Sequence, residues 1–533
     1  MDDQDSNASR LDQHFDDFGG LLRQAQEELR RGRLAAAATW AQIAANYGWL
    51  NHTGLFASPE LEDLLSEVAE QLIDSPAPAR VRQQPPVEIL HVVTQAYGVG
   101  GHTQMLSRWI AQDHQRNHRV LLTRQGSTAL PSKLSDKLVT PQALASIDQG
   151  RGGLLQRASR LRAAARSADL VLLHIHPYDV VPSLAFGKHD GMPPVIMVNH
   201  SDHAFWIGTR ITSVLLNLRD SGRDLAVERR GIEADRAAVL ARPLGVMTER
   251  QLSRSQAKQQ FGVAADQVLI VTAAAASKYD PISPPSLLEL IVPVFQDHPN
   301  AVLLAAGPEP TGQWAAAQRL TGGRVRALGR LADVTELHQA ADGYLDSFPF
   351  ASLTSMIESG SFGNPLLTYR GHPAECAVLG ADTRGLDEYL LRPENPADLV
   401  RDLSKLLTDA EFRQQLGERT RISISSTHLG SGWRTGVEQL YALASELPSR
   451  PSPRPAVRGT GPLDVLVDLV QSQTGYSAGR SGAELESLGL LPSGERLPLW
   501  WRLTRDGSRP SPKLLAPEWM LAPLSRLRRR LRG

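Results

Sequence analysis

The chain has one cysteine, Cys376, in 533 residues. That excludes an internal disulfide framework and a four-cysteine zinc site, and leaves Cys376 as a small core residue. Net charge is also missing. The 57 Lys and Arg balance the 57 Asp and Glu, so no global field draws the chain to nucleic acid, which is not expected as a partner. No run of about 18 apolar residues occurs, so no membrane-spanning helix is expected. The opening MDDQDSNASR is polar and acidic, unlike a secretory signal. No second copy of any segment recurs at a fixed period. No acidic pair is placed to hold a metal: Asp3-Gln4-Asp5 falls in residues 1–15, which read as disordered. These absences point to a soluble cytoplasmic enzyme without a metal.

What is present divides into four parts. Residues 1–86 form a helical prefix and a linker. Leu21, Leu22, Ala25 and Leu29 recur at helical spacing, and residues 34–47 repeat the pattern. Ser58-Pro59-Glu60 is a helix start, and residues 74–86, DSPAPARVRQQPP, are the linker. Packing against the next domain is the favoured role of this prefix. Residues 87–246 hold short apolar runs at 87–93, 120–122, 170–174 and 195–198, with helical stretches between several of them. Residues 247–447 do the same at 268–271, 301–305, 325–328, 343–345 and 365–368. Such alternation makes α/β domains, each a parallel sheet with helices on both faces. Residues 448–533 begin Pro/Arg-rich and read as a linker and a basic amphipathic tail, with short helices possible over 463–506.

Four constellations carry chemistry. After the first strand comes Tyr97-Gly98-Val99-Gly100-Gly101-His102-Thr103, a loop whose glycines let backbone approach a ligand. It is not a dinucleotide fingerprint, because Thr103 stands where the third glycine belongs. The second is Asn199-His200-Ser201-Asp202-His203, directly after a strand. Two histidines can take or hold protons near neutral pH, and Asp202 can orient one of them. Zinc needs a further ligand that this turn lacks. The third is Lys278, after the first strand of the second α/β domain. The fourth is the stretch from Asp346 to Tyr369: a turn over Asp346–Ser355 with Thr354 or Ser355 as a cap, a short helix starting at Met356-Ile357-Glu358 and stopped by Gly360 and Gly363, and a strand. Free N–H groups at such a helix start suit a phosphate, and in an open parallel sheet ligands sit at the carboxyl ends of the strands. At the C-terminus Leu524, Leu527 and Leu531 share one helical face among five arginines, a pattern suited to an anionic membrane surface.

The stretch DSFPFASLTSMIESGSFGNPLLTY resembles the donor-binding segment of glycosyltransferases with the GT-B fold, in particular bacterial relatives of O-linked N-acetylglucosamine transferase and the retaining glycosyltransferase group 1 family. The matching positions are Asp346, Thr354, Ser355, Glu358, Gly363 and Pro365. Retaining relatives carry two glutamates. Glu358 fits the second, and Phe350 stands where the first belongs, which leaves the retaining or inverting outcome open. Leu353 replaces a histidine of the family. The segment at Lys278 is similar to one in which a lysine meets the donor diphosphate; Arg330 is a weaker second cation, and Gly307-Pro308 resembles a further donor-side loop. Gly100, Gly101 and His102 match a loop near the transferred sugar. His200, Asp202 and His203 lie in a segment resembling a signature of uncharacterised bacterial transferases.

The resemblance spans roughly residues 87–446, about two thirds of the chain. It implies two facing Rossmann-like domains and transfer of a sugar from a nucleotide-sugar, of UDP type, to a glycan, lipid-linked or protein acceptor. The nucleotide-sugar is a substrate, so no cofactor is expected, and metal independence is the family habit. A sugar-nucleotide epimerase and a catalytically degenerate partner subunit are the alternatives. The possible membrane contact through the tail would place the protein peripherally at the inner membrane face.

Overall fold

The computed structural model describes residues 2–72, 82–98, 101–138, 140–188, 190–245, 250–447, 455–473 and 479–521. It divides into two compact units. One comprises Met1–Leu218, Gly222–Leu240 and Gly436–Gly533, and the other Arg219–Ser221 and Ala241–Thr435.

The first unit is built on a parallel sheet of seven strands: β1 (Glu88–Val93), β2 (Asn117–Leu122), β3 (Leu144–Ser146), β4 (Leu170–His174), β5 (Val195–Asn199), β6 (Val214–Asn217) and β7 (Ala237–Val239). Their order is β3-β2-β1-β4-β5-β6-β7. The second unit carries six: β8 (Val268–Ala273), β9 (Ala301–Ala306), β10 (Val325–Ala327), β11 (Gly343–Leu345), β12 (Leu366–Leu367) and β13 (Leu390–Leu391). Their order is β10-β9-β8-β11-β12-β13, again all parallel. Counted within each sheet, the first six strands run 3-2-1-4-5-6, the doubly wound order of Rossmann-like domains. Strands such as Val-Ile-Met-Val-Asn of β5 are buried along their whole length, as a sheet covered on both faces requires. The expected α/β class with two Rossmann-like domains is what the chain adopts.

This order fixes where chemistry can occur. In each sheet the chain reverses its winding beside the first strand, so a crevice opens at the carboxyl ends of β1 and β4, and likewise of β8 and β11.

Two expectations are corrected. The first residues are not disordered: a helix runs Asp2–Arg30, with Leu11 fully buried and Arg10 Nε 2.5 Å from Asp468. Nor are residues 448–533 only linker and tail. Helices Pro462–Gln473, Arg480–Ser487 and Ser493–Arg505 are folded parts of the first unit. Ala483, Leu488, Leu491, Leu499 and Leu503 share one apolar core with Ala37, Ala41, Ile43 and Tyr47 of the helix Leu34–Leu50 and with Val180 and Phe186 beside the sheet. The prefix thus packs against the α/β domain. Ser58 caps its third helix, accepting from Leu61 N–H at 3.3 Å. Polar ties bind the same helices: Asp464 meets His52 at 3.0 Å and Arg229 at 2.8 Å, and Asp468 meets His14 at 3.3 Å. From Gly436 the helix Gly430–Glu446 also belongs to this unit. Its Tyr441 hydroxyl accepts from Trp109 Nε1 and donates to Asp113, both at 2.9 Å. The leucine stripe at 524, 527 and 531 lies outside the described residues, and no described helix is long and apolar enough to cross a membrane.

Candidate active site

In the first unit, histidines gather at the carboxyl edge where β1, β4 and β5 end. His174 is the last residue of β4, His200 follows β5, and His102 is the second residue of the helix Gly101–Gln112. Their rings touch. His102 meets His200 edge-on with centroids 4.3 Å apart, and His174 Nδ1 lies 3.1 Å from His200 Nε2. A nitrogen from each of the three falls within 4.8 Å of the others, so they can share an ion.

Behind this group a file of imidazoles crosses the sheet. His174 Nε2 is 3.2 Å from His91 Nδ1, His91 Nε2 is 2.9 Å from His118 Nδ1, and His118 Nε2 is 2.8 Å from the Asp113 carbonyl oxygen. Burial pulls the pKa of His174 down to about 3 and those of His91 and His118 below the usual imidazole range. All three rings are therefore neutral at neutral pH.

The turn after β5 is held from below. Arg230, buried, donates to the Asp202 carbonyl at 2.6 Å and the Ala204 carbonyl at 2.8 Å, and its guanidinium lies 4.6 Å from the centroid of Trp206. Desolvation lowers its pKa to about 9. Asp202 is buried and its Oδ1 lies 3.4 Å from Nδ1 of half-buried His203. Gly222 makes room for that carboxylate: a Cβ there would sit 2.9 Å from Asp202 Oδ2. Of the residues expected to act here, His102 and His200 come together, Asp202 lies against His203, and Gly101 opens the helix. Gly100 lies outside the described residues.

The second unit places its expected residues along one carboxyl edge. Lys278 follows β8, Gly307 follows β9, Arg330 follows β10 and is exposed, and Asp346 follows β11. Asp346 is buried and organises the next loop, accepting from Ser347 N–H at 2.8 Å and Ser352 N–H at 2.9 Å. Desolvation outweighs these bonds and Lys278, raising its pKa to about 6. The Lys278 ammonium donates to the Ala351 carbonyl at 2.6 Å. Two residues on, the helix Leu353–Ser361 begins, with Thr354 and Ser355 in its first turn and Glu358 in its second, all half-buried. Gly307 is sterically required: a Cβ would lie 1.7 Å from the Ala274 carbonyl oxygen, and its φ is +118°.

Sequence reasoning missed His91, His118, His174 and His338. His338 Nε2 lies 3.5 Å from Ser355 Oγ, and burial lowers its pKa to about 4. The available signal was a histidine within or at the end of a strand-like apolar run, seen in Leu90-His91-Val92 and Leu173-His174.

These two sheets are those of the GT-B fold. No family model matches the chain, and no curated protein matches it. Solved structures do. A glycosyltransferase from Rickettsia africae ESF-5 superposes with a TM-score of 0.52 at 11% identity, over 68% of this chain and 99% of that one. A mutant O-GlcNAc transferase from Thermobaculum terrenum gives 0.47 at 13%, over 80% and 85%. A UDP-GlcNAc 2-epimerase from Neisseria meningitidis gives 0.41 at 13%, over 66% and 100%. At 11% identity the likeness to the Rickettsia africae protein is one of fold.

Proposed function

We propose that the protein is a glycosyltransferase that moves a sugar from a nucleotide-sugar, of UDP type, to a hydroxyl-bearing glycan, lipid-linked or protein acceptor. The observation that carries this reading is the edge of the second sheet. There a lysine, Lys278, is tied to the loop that leads straight into a helix start bearing Thr354 and Ser355. A fixed ammonium and open helix N–H groups are what a departing nucleoside diphosphate needs, since it gains negative charge as the sugar leaves. Arg330 and the close-packed turn at Gly307 border the same edge, and Glu358 lies one turn further along the helix. His200 and His203, with Asp202, supply the proton-handling groups of the first unit, and His102 stands beside them.

Purified protein incubated with a panel of nucleotide-sugars, with and without acceptor extracts, tests the reading. Thermal stabilisation by a nucleotide-sugar and acceptor-dependent release of the nucleoside diphosphate are expected, because a ligand bound to the native state stabilises it by mass action. Isomerisation of the donor without acceptor would assign an epimerase instead. Binding without any turnover would assign a degenerate partner subunit. The arginine-rich end of the chain extends the proposal to an anionic lipid surface. Co-sedimentation with anionic but not neutral vesicles, lost on removing residues 522–533, is the expected result.

A further inference from the structure

The geometry points to a binding site for a divalent transition-metal ion of the zinc type, formed by His102, His174 and His200. Three separate elements deliver these rings, and one nitrogen of each lies within 4.8 Å of the other two. Zinc holds imidazole nitrogens at about 2.0–2.1 Å in a tetrahedron, which sets neighbouring nitrogens roughly 3.3 Å apart. His174 Nδ1 and His200 Nε2 are already 3.1 Å apart.

The file of imidazoles behind His174 decides which atom it offers. A carbonyl oxygen only accepts, so His118 must carry its proton on Nε2, toward the Asp113 carbonyl. In a neutral ring Nδ1 of His118 is then a lone pair, which His91 Nε2–H fills. His91 Nδ1 in turn accepts from His174 Nε2–H. Followed to its end, the chain of bonds leaves the lone pair of His174 on Nδ1, the atom that faces His200. This is the tautomer a metal ligand needs, and a ligating histidine whose other N–H is fixed by a hydrogen bond is the usual outer-shell arrangement of such centres. Here the outer shell is two further imidazoles and a carbonyl.

The donor set selects the ion. Three imidazoles, with no carboxylate in the group, favour zinc and its neighbours over magnesium or calcium, and three protein ligands leave a fourth position for water or a substrate hydroxyl. Asp202 and His203 turn toward each other instead and stand outside the set. The missing ligand of the turn after β5 is thus supplied by a strand and a helix distant in sequence. Metal binding here does not depend on the donor reading, and with an ion in place His200 serves as a ligand while His203 keeps its pairing with Asp202.

Untagged full-length protein stripped with a chelator and titrated with Zn2+ against a colorimetric competitor tests the site, with the absorption spectrum of the Co2+ form as a second readout. One equivalent per chain and tetrahedral Co2+ bands are expected. His102→Ala and His200→Ala, whose rings are only half-buried, should fold as judged by circular dichroism and lose stoichiometric binding. His91→Leu should weaken binding by roughly 10- to 100-fold by unfixing His174. His203→Ala should bind as the parent does. Absence of a stoichiometric ion, or retention of it by His102→Ala and His200→Ala, overturns the proposal. Nucleoside diphosphate binding measured on the same samples reports separately on the donor site, so one reading can fail while the other stands.

Discussion

The Lys278 ammonium lies 4.4 Å from the centroid of the Phe350 ring. In the resemblance drawn from the sequence, Phe350 stands where retaining relatives carry the first of two glutamates. The ring therefore meets the cation through its π face, and the Asp346 carboxylate also lies near the same lysine. Its bond to the Ala351 carbonyl fixes its direction.

Replacing that lysine should then weaken donor binding without unfolding the protein. Loss of one charge-assisted contact costs about 1.5–3 kcal/mol, roughly a 10- to 150-fold rise in Kd for a nucleoside diphosphate. Calorimetric titration of Lys278→Ala against UDP checks this. An unchanged Kd removes Lys278 from the donor site.

The imidazoles of the first unit should govern turnover instead. His200→Ala and His203→Ala are each expected to lower kcat by roughly 100-fold or more with little change in donor affinity. Wild-type rates in both variants would make the pair structural.

Asp346 and Asp468 should pull stability in opposite directions with pH. Asp346 is raised to about 6 by burial, despite nearby Lys278, and it faces the buried phenols of Tyr279 and Tyr344. Between about pH 4 and 6 the unfolded chain ionises this group while the native protein holds the proton. Stability from Asp346 is therefore greatest at low pH and falls as pH rises through 6, by about 3 kcal/mol for a shift of this size. Denaturant midpoints for Asp346→Asn across pH 4.5–7.5 should show a flatter dependence than the parent. A parallel dependence would contradict the assignment.

Asp468 behaves the other way. Burial alone would raise it, but hydrogen bonds from His14 and Arg10 hold it below the usual carboxylate range. Its contribution is present above about pH 4 and is lost as pH falls through its native pKa. Asp468→Asn should cost about 1–3 kcal/mol at neutral pH, measured by chemical denaturation, because Arg10 and His14 lose their charged partner. No loss would mean that the C-terminal helices contribute little to the first unit.

The strands β1, β4, β5, β8 and β9 are legible in the sequence because each is mainly apolar, β1 carrying only His91 within its run, and is followed by turn residues. The edge strands β3 and β13 are not: at three and two residues, they exist through pairing with β2 and β12 rather than through their own pattern. Lys278 and the Asp346–Glu358 stretch were legible as features of strand ends because each sits in one local segment. The histidine group was only half legible. His102 and His200 stood out in polar turns, but His91, His118 and His174 look like core residues until the sheet register aligns them. Val93 pairs with His174 and Ile89 with His118, and no spacing along the chain encodes that. The C-terminal helices over 463–506 were legible as short helices, but their packing was not, since partners of Asp464 and Asp468 lie some four hundred residues upstream.

That last feature sets an order of events on the ribosome. The helix Leu34–Leu50 is made before the second unit, yet part of its apolar cover, Ala483, Leu488 and Leu499, is made after it. Every residue of the second unit has been synthesised before those leucines emerge. The second unit can complete its core while the first still waits, with apolar surface uncovered, for the residues that follow it, the interval in which a nascent protein most needs a chaperone.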